Sequence, residues 1–288
     1  VTADAVLAYV DLCGALENAR LTRSLIAAQE RSVAVLERQL KIGETSPLEV
    51  AQARTLLERT RATLPAFEAD RQRALYQLAT LEGLPPREAE TFKPPSCSAI
   101  PRLPEPLNVG DGFGVIARRP DVAEADRRLA AATARLAVAR AEVYPRVRLG
   151  LSAGLIDGAV QGFVTPLITW AFINPSRVRA RIAEAGGTAE AALANLDVVT
   201  LRAWREVETN LADLRGERDR LASLETASAE AAAASRRASA RVRIGDAPPL
   251  LQLDAERTFV DTEQQVAQSR LRRSRLEVQL MRSLGAGG

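Results

Sequence analysis

Between residues 3 and 42 the apolar positions fall at steps of three and four, through Val6, Val10, Leu12, Leu16, Leu21, Leu25, Val33, Leu36 and Leu40, with charged residues between them. That period marks one face of an α-helix. At 1.5 Å per residue, about forty helical residues would reach about 60 Å, far beyond the three turns usual in a globular domain. The run Gly43-Glu44-Thr45-Ser46-Pro47 then breaks the pattern. Glycine suits the left-handed end of a helix, Ser46 can cap the next one, and Pro47 fits a first helical turn. A second helix is predicted from Leu48 to Leu81. Val50, Leu57, Leu64 and Leu78 form one of its heptad rows, and Ala53, Phe67, Ala74 and Leu81 another. Two such rows make a coiled-coil seam, which Pro65 is expected to kink or rewind locally. Residues 1–83 thus read as one long antiparallel hairpin.

Residues 84–119 are rich in proline and glycine and read as an extended crossover, with one short helix near Phe113 to Ala117. A helix is predicted over 120–145, with Pro120 in its first turn. The period then changes. Val147, Leu149, Leu151, Ala153 and Leu155 alternate with Arg146, Arg148, Gly150, Ser152 and Gly154, the pattern of a strand. Asp157-Gly158 opens a turn, and Phe163 to Ile173 reads as the partner strand. Each strand is about as long as one that crosses a bilayer in a tilted barrel. Two strands alone have unpaired edges, so if they span a membrane, other chains must close the barrel. From residue 174 the helical period returns, weakened at Gly186-Gly187. It breaks at Gly245-Asp246-Ala247-Pro248-Pro249, and a final helix is predicted from Leu250 to Leu284.

A shift of 202 positions carries the first hairpin onto the second. Ile42 and Gly43 fall on Ile244 and Gly245, Pro47 and Leu48 on Pro249 and Leu250, Arg71 on Arg273, and Leu78 on Leu280. Coiled-coil composition accounts for alanine and leucine matches, but not for the same Gly-x-x-x-Pro-Leu turn at the same point twice. The fold class expected is therefore mainly α with a short β segment. Its parts are 1–83, the crossover 84–119, the helix 120–145, the strand pair 146–173 and the second hairpin 174–288, without separate globular domains. A complete two-repeat protein would have a helix and two strands before residue 1 as well. Val1 to Val10 has no signal-peptide character, and the chain is expected to be an N-terminally truncated piece.

Composition narrows the function. Aromatic residues make up 4% and histidine is absent. Lys plus Arg is 39 against 36 for Asp plus Glu, and the bases are interleaved with acids, so nothing points to nucleic acid. Cys13 and Cys97 fit neither a disulfide framework nor a metal cluster. Cys13 lies in an apolar helical stretch and reads as a small buried hydrophobe, while a redox partnership with Cys97 has no motif behind it. No histidine exists for a triad and no carboxylate pair stands out, so neither an enzyme nor a cofactor is expected.

Two local sequences join the repeat. The run Arg118-Arg119-Pro120-Asp121-Val122, continued after an alanine-rich helix by Ala139-Arg140-Ala141-Glu142-Val143-Tyr144-Pro145-Arg146, resembles the signature of the lipoprotein (NodT/OprM-like) branch of the TolC family of outer-membrane efflux proteins. Leu250 to Thr258 (LLQLDAERT) resembles the helix after that family's second periplasmic turn. The resemblance covers essentially the whole chain. It departs from the family in Asn174-Pro175-Ser176-Arg177, where Asp-Gly-Gly-Arg is usual, and in a short strand pair. The lipobox cysteine is not present, and neither Cys13 nor Cys97 takes its place.

The resemblance implies a homotrimer with a β-barrel in outer-membrane lipid above a periplasmic helical barrel. It further implies a periplasmic adaptor (a membrane fusion protein), an inner-membrane RND-type transporter, and passive export of drugs, metals or other small solutes. Gly43, Glu44, Thr45, Gly245, Asp246 and Ala247 would be the hairpin tips that meet the adaptor; equally, the glycines supply turn geometry alone. Asp254 would line the pore constriction, with Gln52 as its counterpart in the first hairpin, or else is a solvated helix charge. Arg146 and Arg148 would face a barrel lumen. Trp170 and Phe172 suit either an interfacial belt or a core contact, and Trp204 reads as packing. A periplasmic adaptor would need one hairpin inserted in small β-domains. A coiled-coil scaffold would show continuous heptads and no alternating segment.

Overall fold

The computed structural model describes residues 2–88, 96–97, 99–101, 113–156, 159–169 and 175–285. The order is α1 (Thr2–Lys41), α2 (Pro47–Leu81), a 3-10 turn (Pro86–Glu88), α3 (Phe113–Ala117), α4 (Pro120–Ala141), β1 (Arg146–Ile156), β2 (Ala159–Thr169), α5 (Pro175–Arg243) and α6 (Pro249–Ser283). They divide into two compact units, Val1–Asn108 with Val207–Gly288, and Val109–Glu206.

In the first unit, α1 and α2 form the hairpin that the heptad rows predict. Val33 and Leu36 of α1 close on Val50, Ala53 and Leu57 of α2, and Leu253 of α6 joins them. Farther from the turn, Ala8 and Leu12 pack on Ala74, Leu75, Leu78 and Ala79. Between these clusters, at Pro65, α2 stays helical, but its buried row stops after Thr60 and resumes at Ala74. In the second hairpin, Val207 and Leu214 of α5 hold Leu276 and Leu280 of α6. Burying a leucine as fully as Leu280 contributes about 2–3 kcal/mol.

The repeat extends to ion pairs. Arg23 binds Glu68 at 2.9 Å in the first hairpin, and Arg270 binds Glu225 at 2.8 Å in the second. These are equivalent positions under the 202-residue shift, with the charges exchanged between helices. Both pairs are solvent-exposed and contribute at most about 1 kcal/mol each.

The two cysteines overturn their sequence reading. Cys13 and Cys97 form a disulfide across 84 positions. Tyr9, Cys13 and Glu17 lie four apart, on one face of α1. Tyr9 donates to the Ser96 carbonyl at 3.3 Å, and the Ile100 amide donates to Glu17 at 3.3 Å. Ser96, Cys97 and Ile100, in the interior of the crossover, are therefore held along α1 by three successive ties. Spacing in the sequence could not signal a bond whose partners meet only after the hairpin folds.

In the second unit, Arg119 and Asp121 of the signature run have a structural task. The side chain of Arg119 is 11% exposed and binds Asp121 at 3.0 Å and Glu206 of α5 at 2.8 Å. The Arg119 guanidinium holds the Asp121 carboxyl below its ordinary range. Ile116, Val122 and Ala203 pack beside this network, with Trp204 against them, as packing predicts. Helix α5 continues through Gly186-Gly187, where the pattern weakens.

Strands β1 and β2 pair antiparallel from Arg146↔Thr169 to Ile156↔Ala159. The first strand matches its alternating pattern. The second begins at Ala159 rather than Phe163, because pairing with β1 sets its start. Residues 170–173, with Trp170 and Phe172, lie outside the described residues, as does the Asp157-Gly158 turn.

Candidate functional site

Both hairpin tips are built the same way. Gly43 and Gly245 have φ of 78° and 77°, the left-handed region that favours glycine. At the first tip Gly43 N–H donates to the Leu40 carbonyl (3.1 Å) and Glu44 N–H to that of Gln39 (2.9 Å). At the second, Gly245 donates to Val242 (3.0 Å) and Asp246 to Arg241 (2.9 Å). These are Schellman closures, which satisfy carbonyls the helix ends would otherwise leave open.

Past the glycines the two tips diverge. Ser46 caps α2 in a reciprocal box with Glu49, whose carboxylate also accepts from Thr45. The Thr45 hydroxyl and then the Ser46 amide hold that carboxyl below its ordinary range. The second tip has Pro248 at the cap position and relies instead on Arg241, which donates to the Asp246 carboxylate at 2.8 Å. Gly43, Glu44, Gly245 and Asp246 are exposed, and Thr45 and Ala247 are half-buried. Sequence reasoning missed their apolar flanks. Ile42, Leu48, Ile244 and Leu250, equivalent in pairs under the repeat, all stand exposed beside the turns. Their signal was present in the same Ile-Gly…Pro-Leu match that revealed the repeat.

Gln52 and Asp254, paired in the sequence only by the repeat, are brought together. Both line a groove of about 550 Å³ between α2 and α6, floored by Leu56 and Leu253 and edged by Arg59 and Arg257. Both arginines were missed, since nothing in their helical spacing separates them from ordinary solvated charges.

Two residues beyond Asp254, Glu256 points the other way and accepts from the Ser32 hydroxyl of α1 at 3.1 and 3.3 Å. Burial pushes its carboxyl above the ordinary glutamate range, and the Ser32 bond only partly opposes this. A carboxyl whose pKa is raised on folding stabilises the fold below its unfolded pKa, and that contribution is lost as pH rises through the folded value. Glu256→Gln is therefore expected to leave stability unchanged near pH 4 and to raise it near pH 8, by about 1 kcal/mol or less. Denaturation of both proteins at the two pH values checks this, and an equal difference at both would refute it.

The strand pair has two unlike faces. The register sets Val147, Leu149 and Leu151 beside Ile168, Pro166 and Val164 on one face. Arg146, Arg148, Gly150 and Ser152 occupy the other with Thr169, Leu167, Thr165 and Phe163. The apolar face is open, with Leu151 83% and Leu149 74% exposed. Arg146 is drawn to the base of its strand by Glu142 (3.2 Å), which also binds Arg181 of α5 (3.0 Å).

The model of the family described as "Outer membrane efflux protein" matches residues 115–286. Outer membrane protein OprJ of Pseudomonas aeruginosa is 30% identical over 100% of this chain and 61% of its own. The pyoverdine export outer membrane protein OpmQ of Pseudomonas putida is 31% identical over 94% of this chain and 57% of its own. Among solved structures, that of the outer-membrane channel OprN superposes with a TM-score of 0.91 at 34% identity, over 99% of this chain and 66% of that one. The chain thus spans about three fifths of the length of such relatives. Repeat, paired hairpins, strand pair and matched residues agree: the chain belongs to the outer membrane efflux protein family.

Proposed function

We propose that the full-length protein is the outer-membrane channel subunit of a tripartite efflux system, a passive conduit without catalytic chemistry. Three copies assemble, their strands close a barrel in outer-membrane lipid, and their hairpins reach into the periplasm. The observation that carries this reading is the strand pair: 11-residue strands with an open, wholly apolar face on one side and, on the other, a mixed face that carries Arg146, Arg148, Ser152, Thr165 and Thr169 beside Leu167 and Phe163. Soluble monomers rarely leave such a face uncovered, and lipid accepts it only if neighbouring chains satisfy the outer edges. The Cys13–Cys97 disulfide suits the oxidising periplasm.

In this reading the parts 1–83 and 174–288 are the periplasmic hairpins, and 146–173 is the membrane segment. The tips Gly43-Glu44-Thr45 and Gly245-Asp246-Ala247 dock a periplasmic adaptor, with Ile42, Leu48, Ile244 and Leu250 supplying apolar contact. The adaptor in turn links the channel to an inner-membrane RND-type transporter. Gln52 and Asp254 narrow the pore, where carboxylates from several copies repel one another and favour cations. Solutes small enough to pass are exported, and selection rests with the pump.

Extraction of outer membranes with detergent, followed by mass determination, tests the assembly: a trimer is expected, and a soluble monomer or dimer sinks the reading. Reversing charge at both tips together (Glu44→Arg with Asp246→Arg) is expected to lower export in cells about tenfold, equivalent to about 1.4 kcal/mol of docking, while leaving trimer yield and the conductance of the isolated pore unchanged. A loss of conductance as well would remove the tips from the docking role.

A further inference from the structure

The two halves of the disulfide sit in unlike surroundings. Cys13 is 1% exposed. Cys97 is half-buried and packs by one side against the apolar cluster that includes Leu12, Leu75 and Leu78. Only the crossover half of the bond therefore has appreciable surface in solvent.

Ties on either side complete the strap. Tyr9, one turn before Cys13, donates to the Ser96 carbonyl, and Glu17, one turn after it, accepts from the Ile100 amide. The second hairpin has no counterpart. The 202-residue shift carries Tyr9, Cys13 and Glu17 onto Leu211, Arg215 and Asp219 of α5. Helices α5 and α6 thus form the same hairpin from sequence without a cysteine. Packing of such a hairpin does not require the pair, which leaves its chemistry open to a separate task.

We infer that the pair is a thiol–disulfide exchange site that low-molecular-weight thiols and disulfides enter only through Cys97, with Cys13 as the resolving sulfur. Exchange requires a thiolate to reach the sulfur it attacks, and burial denies access to Cys13. In closure, the Cys97 thiolate attacks a small disulfide, forms a mixed disulfide with one half and expels the other as a thiolate. Cys13 then loses its proton to the medium and attacks the Cys97 sulfur, closing the bond and expelling the second small thiolate. Two protein thiols are oxidised by two electrons, and the small disulfide is reduced to two thiols that take up the two protons. Opening is the reverse: a small thiolate attacks Cys97, and Cys13 leaves with the bonding pair and gains a proton. The ties from Tyr9 and Glu17 keep Cys97 beside Cys13 while the bond is open, so resolution is intramolecular and outruns release of the mixed disulfide. The inference rests on the first hairpin and its crossover, not on the proposed assembly.

The test uses the full-length protein in detergent, oxidised glutathione as the probe and intact mass as the readout. Folded Cys13→Ala, which keeps Cys97, is expected to take up one glutathione per chain at least about tenfold faster than folded Cys97→Ala, which keeps Cys13. In denaturant the two rates should agree within about twofold, which assigns the difference to the fold. The reduced wild type should close its bond without building up an adduct. Equal capture by the folded variants, faster capture at Cys13 or no capture at Cys97 overturns the inference, as does a difference that persists in denaturant. An adduct that builds up on the wild type removes Cys13 from the resolving role. The order is also read without substitutions: brief alkylation of the reduced, folded wild type should mark Cys97 ahead of Cys13 in peptide maps, and any other order sinks the assignment.

Discussion

On the proposed reading, in which the apolar face of β1 meets lipid, arginine in place of Leu151 is expected to destabilise the assembled channel by about 2–4 kcal/mol, the cost of a cation near mid-bilayer. Leu151 is the middle residue of β1 and stands on the apolar face between Leu149 and the cross-strand Val164. Period-two alternation fixes that placement, since a slip of one residue would turn every apolar side chain to the other side. Ser152 is its neighbour in the chain but lies on the face with Arg146 and Arg148, so Ser152→Arg should be close to neutral. The trimer recovered from outer membranes, and its resistance to heat in detergent, measure both. Depletion by Leu151→Arg alone is the expected result. Equal depletion by both variants would mean that the strands tolerate no added charge anywhere, and equal tolerance that neither face meets lipid.

The same alternation explains why β1 was legible in the sequence and β2 only partly so. A strand with strict polar–apolar alternation announces both its type and its faces. The start of β2 is fixed by pairing with β1, where Ala159 lies opposite Ile156, a condition that its own residues do not encode. The helices were readable because their ends depend on local chemistry. Gly43 and Gly245 take a left-handed conformation that few other residues accept, and Pro47 and Pro249 occupy first turns where an N–H is not needed. Pro65 and Gly186-Gly187 carried the same local signals in mid-helix without ending it, since neighbouring turns hold the helix on either side. For the candidate sites, the repeat disclosed which positions are equivalent, and so paired Gln52 with Asp254 before the groove was known. It could not disclose which face of each helix its partner covers. For that reason Glu256, turned toward Ser32, and the arginines edging the groove came only with the fold.

The largest effect beyond the strand pair is expected from the disulfide for which the sequence offered no motif. Replacing Cys97 with alanine should lower stability by about 2–4 kcal/mol, because the bond closes a long loop and the unfolded chain regains that freedom when it is removed. The 84-residue separation puts the chain-entropy ceiling at about 4–5 kcal/mol. Some of this is already spent by the hairpin, whose α1–α2 packing shortens the loop that remains open. Cys97 is the better site for the change, since Cys13 is 1% exposed and its loss would also disturb the core. Denaturant midpoints of wild type, Cys97→Ala and the reduced wild type check the size, and the last two should agree within about 1 kcal/mol if the bond is what matters. Thiol titration of the unreduced, unfolded protein should find no free cysteine; two free thiols would show that the pair is not joined. Because Tyr9 and Glu17 still hold Ser96 and Ile100 to the same face of α1, losing the bond should loosen the strap without freeing it. Hydrogen exchange should therefore quicken around residues 96–101 before it quickens at the hairpin turn.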